Sequence, residues 1–331
     1  MERTHRDGAG RGGRRGQPRR STHAIWCAVA VVATLAGAAS PAGATPSGGA
    51  GGRIAFGRFD GGGVAQIFSM NADGSDVRQL THVGKRSAAF YAAWSPDGST
   101  IAYTRSGRSG DADLHVMDAD GSNDRRLFED RLFDDLQPSY SPDAKTIVFT
   151  RCRPPGGPCT LYTVRADGTR LHQLLPFSTD GADMDGHFSP DGTQIVDSHF
   201  YQGGKLAALA IMAADGSGLH TITPARLTAS WGEWSPDGGK IAFSSHCCDP
   251  KNSEIWTVAP DGSGRTRLTR PAPEHDFVPS FSPDGARIAF ERDAPDFSSG
   301  DIWVMNTDGS GATLVQRDGF NPEWGPAGAM S

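Results

Sequence analysis

The feature that most restricts this chain is a period. An aromatic-Ser-Pro-Asp-Gly turn starts at Trp94, Tyr140, Phe188, Trp234 and Phe281, with Ala144 replacing the glycine of the second, and a degenerate Trp324-Gly325-Pro326 ends the series. Its prolines, Pro96, Pro142, Pro190, Pro236, Pro283 and Pro326, stand 46, 48, 46, 47 and 43 residues apart. A second turn of the Ala-Asp-Gly-Ser type places its aspartate at Asp73, Asp120, Asp167, Asp215, Asp261 and Asp308, at spacings of 47, 47, 48, 46 and 47. Two independent turn series sharing one period mark a repeat protein.

Between the turns lie four short runs rich in apolar, β-branched and aromatic residues, each bounded by Gly, Pro or Asp, the composition of strands. Around Pro283 these are Phe277 to Phe281, Arg287 to Arg292, Asp301 to Met305 and Thr313 to Gln316. A four-stranded antiparallel sheet of this length cannot bury both faces unless neighbours stack on it, so the expected fold is all-β, a six-bladed β-propeller. The first second-strand, Ile54-Ala55-Phe56, lacks a preceding inner strand, and the last inner strand, Phe320 to Trp324, lacks a successor. Pairing the two would close the ring and remove its open edge. The propeller is expected over residues 53–326, after a linker at 45–52 and before a tail at 327–331.

The run Trp-Ser-Pro-Asp-Gly-(x)-x-Ile-Ala-(aromatic), as in Trp94 to Tyr103 and Trp234 to Phe243, resembles the repeat of TolB-like propellers. That resemblance implies a six-bladed, non-enzymatic module that binds proteins of the cell envelope; related repeats also build propellers of prolyl-oligopeptidase-type peptidases and of some polysaccharide lyases. No Gly-x-Ser-x-Gly elbow occurs and the repeats run to Pro326, so a peptidase is not expected. TolB proper has a separate N-terminal domain that the few residues between Ala44 and the first blade do not supply, so that domain's partners are not carried over.

Arg3 to Arg20 holds seven arginines and one acid, Ala24 to Ala36 is apolar, and Ala42-Gly43-Ala44 offers small residues at a cleavage site. These residues read as a signal peptide over 1–44, by the Sec or the Tat route, and place the protein in the periplasm or outside the cell. Past residue 44 the chain has 36 acidic and 25 basic residues, which argues against nucleic acid as partner. No other run approaches the roughly 20 apolar residues of a membrane span. A monomer is expected.

The Ser-Pro-Asp-Gly and Asp-Gly-Ser turns share one face, and their aspartates are expected to bond their own backbone. The loops of the opposite face vary, so function is expected there. Folding each inner hairpin about its turn sets Asp135 opposite Arg151, Asp183 opposite His199 and Asp276 opposite Arg292. These are either cross-strand structural pairs or a charged rim at the channel mouth that meets a ligand. The ligand-binding candidates are Asp135, Asp183, Asp185, His187, His275, Asp276, Arg151 and Arg292. Alternation along the strand puts Asp183, Asp185 and His187 on one side, a pattern that suits a divalent cation or acid-base chemistry; otherwise no metal or other cofactor is expected.

Cys152 and Cys159 flank one variable loop and are expected to form a disulfide that closes it. Cys247-Cys248 lie two blades away and are expected as free thiols or a strained vicinal pair; His246, Cys247, Cys248 and Asp249 lack the usual zinc spacing. The function expected is a non-catalytic module that receives a protein, peptide or cell-envelope component on its variable face, where Phe90, Tyr91, Phe200, Tyr201 and Trp231 offer aromatic surface. The alternative is a polysaccharide lyase or hydrolase working at the channel mouth.

Overall fold

A computed structural model describes residues 52–107, 110–130, 132–245, 252–271 and 273–327. They form six sheets of four antiparallel strands. Blade one joins the two ends of the series, its inner strand Gly319–Trp324 pairing with Ile54–Phe59, so that Ile54 faces Trp324 and Arg58 faces Gly319. Beyond the pairing, Gly325 N–H donates to Arg53 O at 2.8 Å and Trp324 Nε1 donates to Gly52 O at 3.2 Å. Blades two to six begin at Ala88, Asp134, Gly181, Ala229 and His275. No helix among the described residues is long and apolar enough to cross a membrane.

The stacking that the repeat demands is visible in the core. Apolar clusters lie between successive sheets, as where Ile67 of blade one meets Trp94, Ile101, Tyr103 and Met117 of blade two. Within each blade the second strand carries a fully buried Ile, from Ile54 through Ile101, Ile147, Ile195 and Ile241 to Ile288.

The turn aspartates do what their chemistry suggests. In the Ser-Pro-Asp-Gly turns, Asp97, Asp143, Asp191, Asp237 and Asp284 each accept the serine hydroxyl two residues back at 2.6–2.7 Å. The serine hydroxyls hold all five carboxyls below their usual range, with further help from backbone N–H groups. These acids are spent on the turns.

Candidate functional site

Each inner strand contains one residue in the left-handed region, three positions before its turn aromatic: Tyr91, Gln137, Asp185, Trp231, Val278 and Asn321, with φ between 48° and 59°. The strand ladder slips by one residue at each of these points, the mark of a β-bulge. In five blades the freed N–H is caught by a side chain on the second strand of the preceding blade. Thr104 Oγ1 accepts Gln137 N–H at 3.1 Å, Thr150 Oγ1 accepts Asp185 N–H at 2.9 Å, and Ser198 Oγ accepts Trp231 N–H at 3.0 Å. Ser244 Oγ accepts Val278 N–H at 3.1 Å, and Glu291 Oε2 accepts Asn321 N–H at 2.9 Å. The corresponding position of blade one is Gly57, where a Cβ would lie 2.1 Å from the Phe320 ring.

The bulges turn their residues into the central channel. Tyr91 of blade two and Trp231 of blade five meet there with ring centroids 5.8 Å apart. With Gln137, Pro138, Val278, Pro279, Asn321 and Pro322 they reduce the channel cavity to about 40 Å³. That holds a few water molecules. Sites that enclose small organic ligands measure roughly 300–1,000 Å³.

Four ionisable groups converge on this space: Asp185, His187, Glu233 and Glu323. His187 Nε2 lies 3.6 Å from Asp185 Oδ1. Burial works against the imidazolium, but Asp185, Glu323 and Glu233 outweigh it and raise His187 to about 9. The fifth of its side chain that is exposed faces the small cavity. Burial raises Glu323 to about 7, and burial with the Glu323 charge pushes Glu233 well above its usual range. Glu233 Oε1 also accepts Phe281 N–H at 3.0 Å. Glu233 and Glu323 were missing from the sequence candidates, yet a signal existed. The residue just before the turn aromatic is Ala93, Ser139, His187, Glu233, Ser280 or Glu323, so three of six blades place an ionisable group at one level of the channel.

The three expected cross-strand pairs form. Arg151 Nε and Nη2 reach Asp135 at 2.7 and 2.8 Å, Arg292 reaches Asp276 at 2.6 and 2.9 Å, and His199 Nδ1 lies 2.5 Å from Asp183 Oδ1. Their acids are buried rather than displayed on an open rim, and Asp135, Asp183, Asp276 and Arg151 are almost wholly enclosed, while Arg292 and His199 stay partly exposed. Arg151 also binds Asp130 at 3.0 Å and lies near the rings of Phe128, Phe133, Phe149 and Tyr162. Burial lifts the Asp135 carboxyl to about 6 in spite of Arg151. His275 is buried too, stacked on Phe297 at 4.3 Å.

One expectation fails. Asp183, Asp185 and His187 do not share a side, because the bulge at Asp185 inserts a residue and reverses the alternation. Asp183 pairs with His199, whereas Asp185 and His187 enter the channel. The nearer partners of Asp183 are on the next strand: Asp183, Asp197 and His199 bring one ligand atom each within 4.8 Å of one another.

The Cys152–Cys159 disulfide is present and closes its loop. Cys247, Cys248, His246 and Asp249 lie outside the described residues. On the turn face a hollow of about 460 Å³ lies between the turns of blades five and six, beside Asp237, Lys240 and Asp284. Its two aspartates are already committed to their own turns.

A family model described as the TolB beta propeller domain matches residues 85–232. No curated protein matches the sequence. Among solved structures, TolB from Acinetobacter baumannii is similar at 20% identity and TM-score 0.69, over 83% of this chain and 67% of that one. A putative TolB from Agrobacterium tumefaciens is similar at 18% identity and TM-score 0.64, over 84% and 94% of the respective chains. Oligogalacturonate lyase from Vibrio parahaemolyticus is similar at 16% identity and TM-score 0.56, over 80% and 79%. With the repeat, the six sheets and the closing strand pair, these matches establish the fold as a six-bladed β-propeller, with a match to the TolB beta propeller domain over residues 85–232.

Proposed function

We propose that this propeller is an extracytoplasmic, non-catalytic binding module that receives a protein, peptide or cell-envelope component on the face formed by its variable loops. The observation that carries the reading is the channel closed by Tyr91 and Trp231, whose cavity of about 40 Å³ is too small for a saccharide or another organic substrate. Recognition then falls to the outer surface. There Leu132 is 75% exposed and Phe297 48% exposed, both on the variable face, while the opposite face repeats self-satisfied turns. Exposed apolar side chains on loops held by a rigid scaffold suit contact with a partner surface. The Cys152–Cys159 disulfide and the arginine-rich, then apolar, N-terminal sequence support a location outside the cytoplasm.

The likeness to a lyase extends to the fold, and the acids that converge with His187 in the channel are the groups such chemistry would draw on there. The closed channel weighs against it.

The test is photo-crosslinking in the native cell, with a reactive residue at Leu132 or Phe297 and, as controls, at Leu171 or Leu219 on the turn face. Adducts from the first pair and not the second are expected. Adducts from the turn face alone, or depolymerisation of oligogalacturonate by the purified chain, would overturn the proposal.

A further inference from the structure

Two residues after the buried isoleucine of the second strand stands a fully buried aromatic in five blades: Phe56, Tyr103, Phe149, Phe243 and Phe290. In blade four the same position is Asp197, equally buried. Its neighbour on the third strand is Ala210, where the other blades have Phe68, His115, Tyr162, Trp256 and Trp303. One ring pair of the core has been exchanged for a carboxylate and a methyl group. As packing this is a loss, since it gives up ring contacts and takes a charge out of water.

Neither oxygen of Asp197 has a hydrogen-bond partner. The adjacent acid, Asp183, is itself an acceptor, so only a shared proton can join the two. Burial, then the Asp183 charge, holds the Asp197 carboxyl far above its usual range. His199, two residues along the same side of the strand, completes the group, and its side chain, 23% exposed beside Tyr201, gives a way in from solvent.

We propose that Asp183, Asp197 and His199 form a binding site for one divalent transition cation of the zinc or manganese class. Two carboxylate oxygens with one imidazole nitrogen suit these ions better than calcium or magnesium, which favour oxygen alone, or copper(I), which favours sulfur. The cation supplies the positive charge between two neighbouring carboxylates, and its double charge is balanced by them. It ties the inner strand of blade four to the second strand just before the bulge. Asp185, at the bulge, and His187, beyond it, are turned into the channel and are not ligands.

The test is calorimetric titration of the chelator-stripped chain with Zn²⁺ and with Mn²⁺, with thermal unfolding alongside. One ion per chain and a rise of several degrees in Tm are expected. Asp197→Asn keeps the shape and removes a ligand. Replacing groups that merely orient metal ligands costs roughly 10- to 100-fold in affinity, so loss of a ligand should weaken binding on the order of 100-fold and cancel the thermal shift. Stripped Asp197→Asn should be at least as stable as the stripped parent, because it no longer buries an unpaired acid, and this separates lost binding from misfolding. His199→Gln should repeat the loss, and His187→Gln in the channel should not. No binding of either ion at millimolar concentration, or binding unchanged in both Asp197→Asn and His199→Gln, would overturn the site.

Discussion

Tyr91 and Trp231 stand on inner strands of blades two and five, on opposite sides of the ring, and bring their rings to 5.8 Å across the channel. No strand pairing links these two blades, so the contact is a direct measure of how closely the ring draws in. A double-mutant cycle with Tyr91→Ala and Trp231→Ala, read by urea unfolding, should give a coupling of about 1 kcal/mol, the range of other aromatic pairs. Simple additivity would mean that the plug is not made by these rings.

Arg151 is enclosed by Asp135, Asp130 and four rings, whereas Arg105, the same position in blade two, faces the half-buried Asp124 at 3.2 Å. Arg151→Ala should cost about 3–5 kcal/mol, since it strands a buried carboxylate. Arg105→Ala should cost under about 1 kcal/mol. Parallel denaturant curves check the contrast.

The channel groups set a pH dependence. Both Glu323, raised to about 7, and His187, raised to about 9, bind protons more tightly folded than unfolded. The stability they contribute is complete below their unfolded values. It is lost as pH rises, between about 4.5 and 7 for Glu323 and between about 6.5 and 9 for His187. Tm measured in chelator should therefore fall from pH 5 to pH 9. Glu323→Gln should flatten the lower half of that slope and His187→Gln the upper half. A Tm that rises over this window would contradict the charges assigned to the channel.

Ala144 sits at φ 59°, where the equivalent turns carry Gly98, Gly192, Gly238 and Gly285. Ala144→Gly removes the strain of a left-handed alanine and should stabilise the chain by about 0.5–1 kcal/mol, read as a shift in the urea midpoint.

The turns made the architecture legible. Pro and Asp spacings located six blades, and the run from Thr313 to Gln316 was bounded to the residue. The unmatched strands at Ile54 and Phe320 announced the closing pair. The bulges left no such trace. Tyr91, Gln137, Asp185, Trp231, Val278 and Asn321 share no side-chain character, and a β-branched valine in the left-handed region goes against local preference. What holds five of them, Tyr91 apart, is a hydroxyl or carboxylate on another blade, 33 residues earlier in the chain for Gln137. Strand alternation, blind to that contact, placed Asp183 beside His187. Asp197 was legible in principle, as the one break in a column of aromatics.

Glu323 is carried on the strand that shuts the ring, the last of the propeller's strands in chain order, while His187 and Glu233 are made well over a hundred and almost a hundred residues sooner. The channel's proton-binding group is therefore a certificate of completion. A chain stalled or clipped before Gly319 can own the histidine without its full set of counter-charges, and the NMR titration of one imidazole would report whether the circle has been joined.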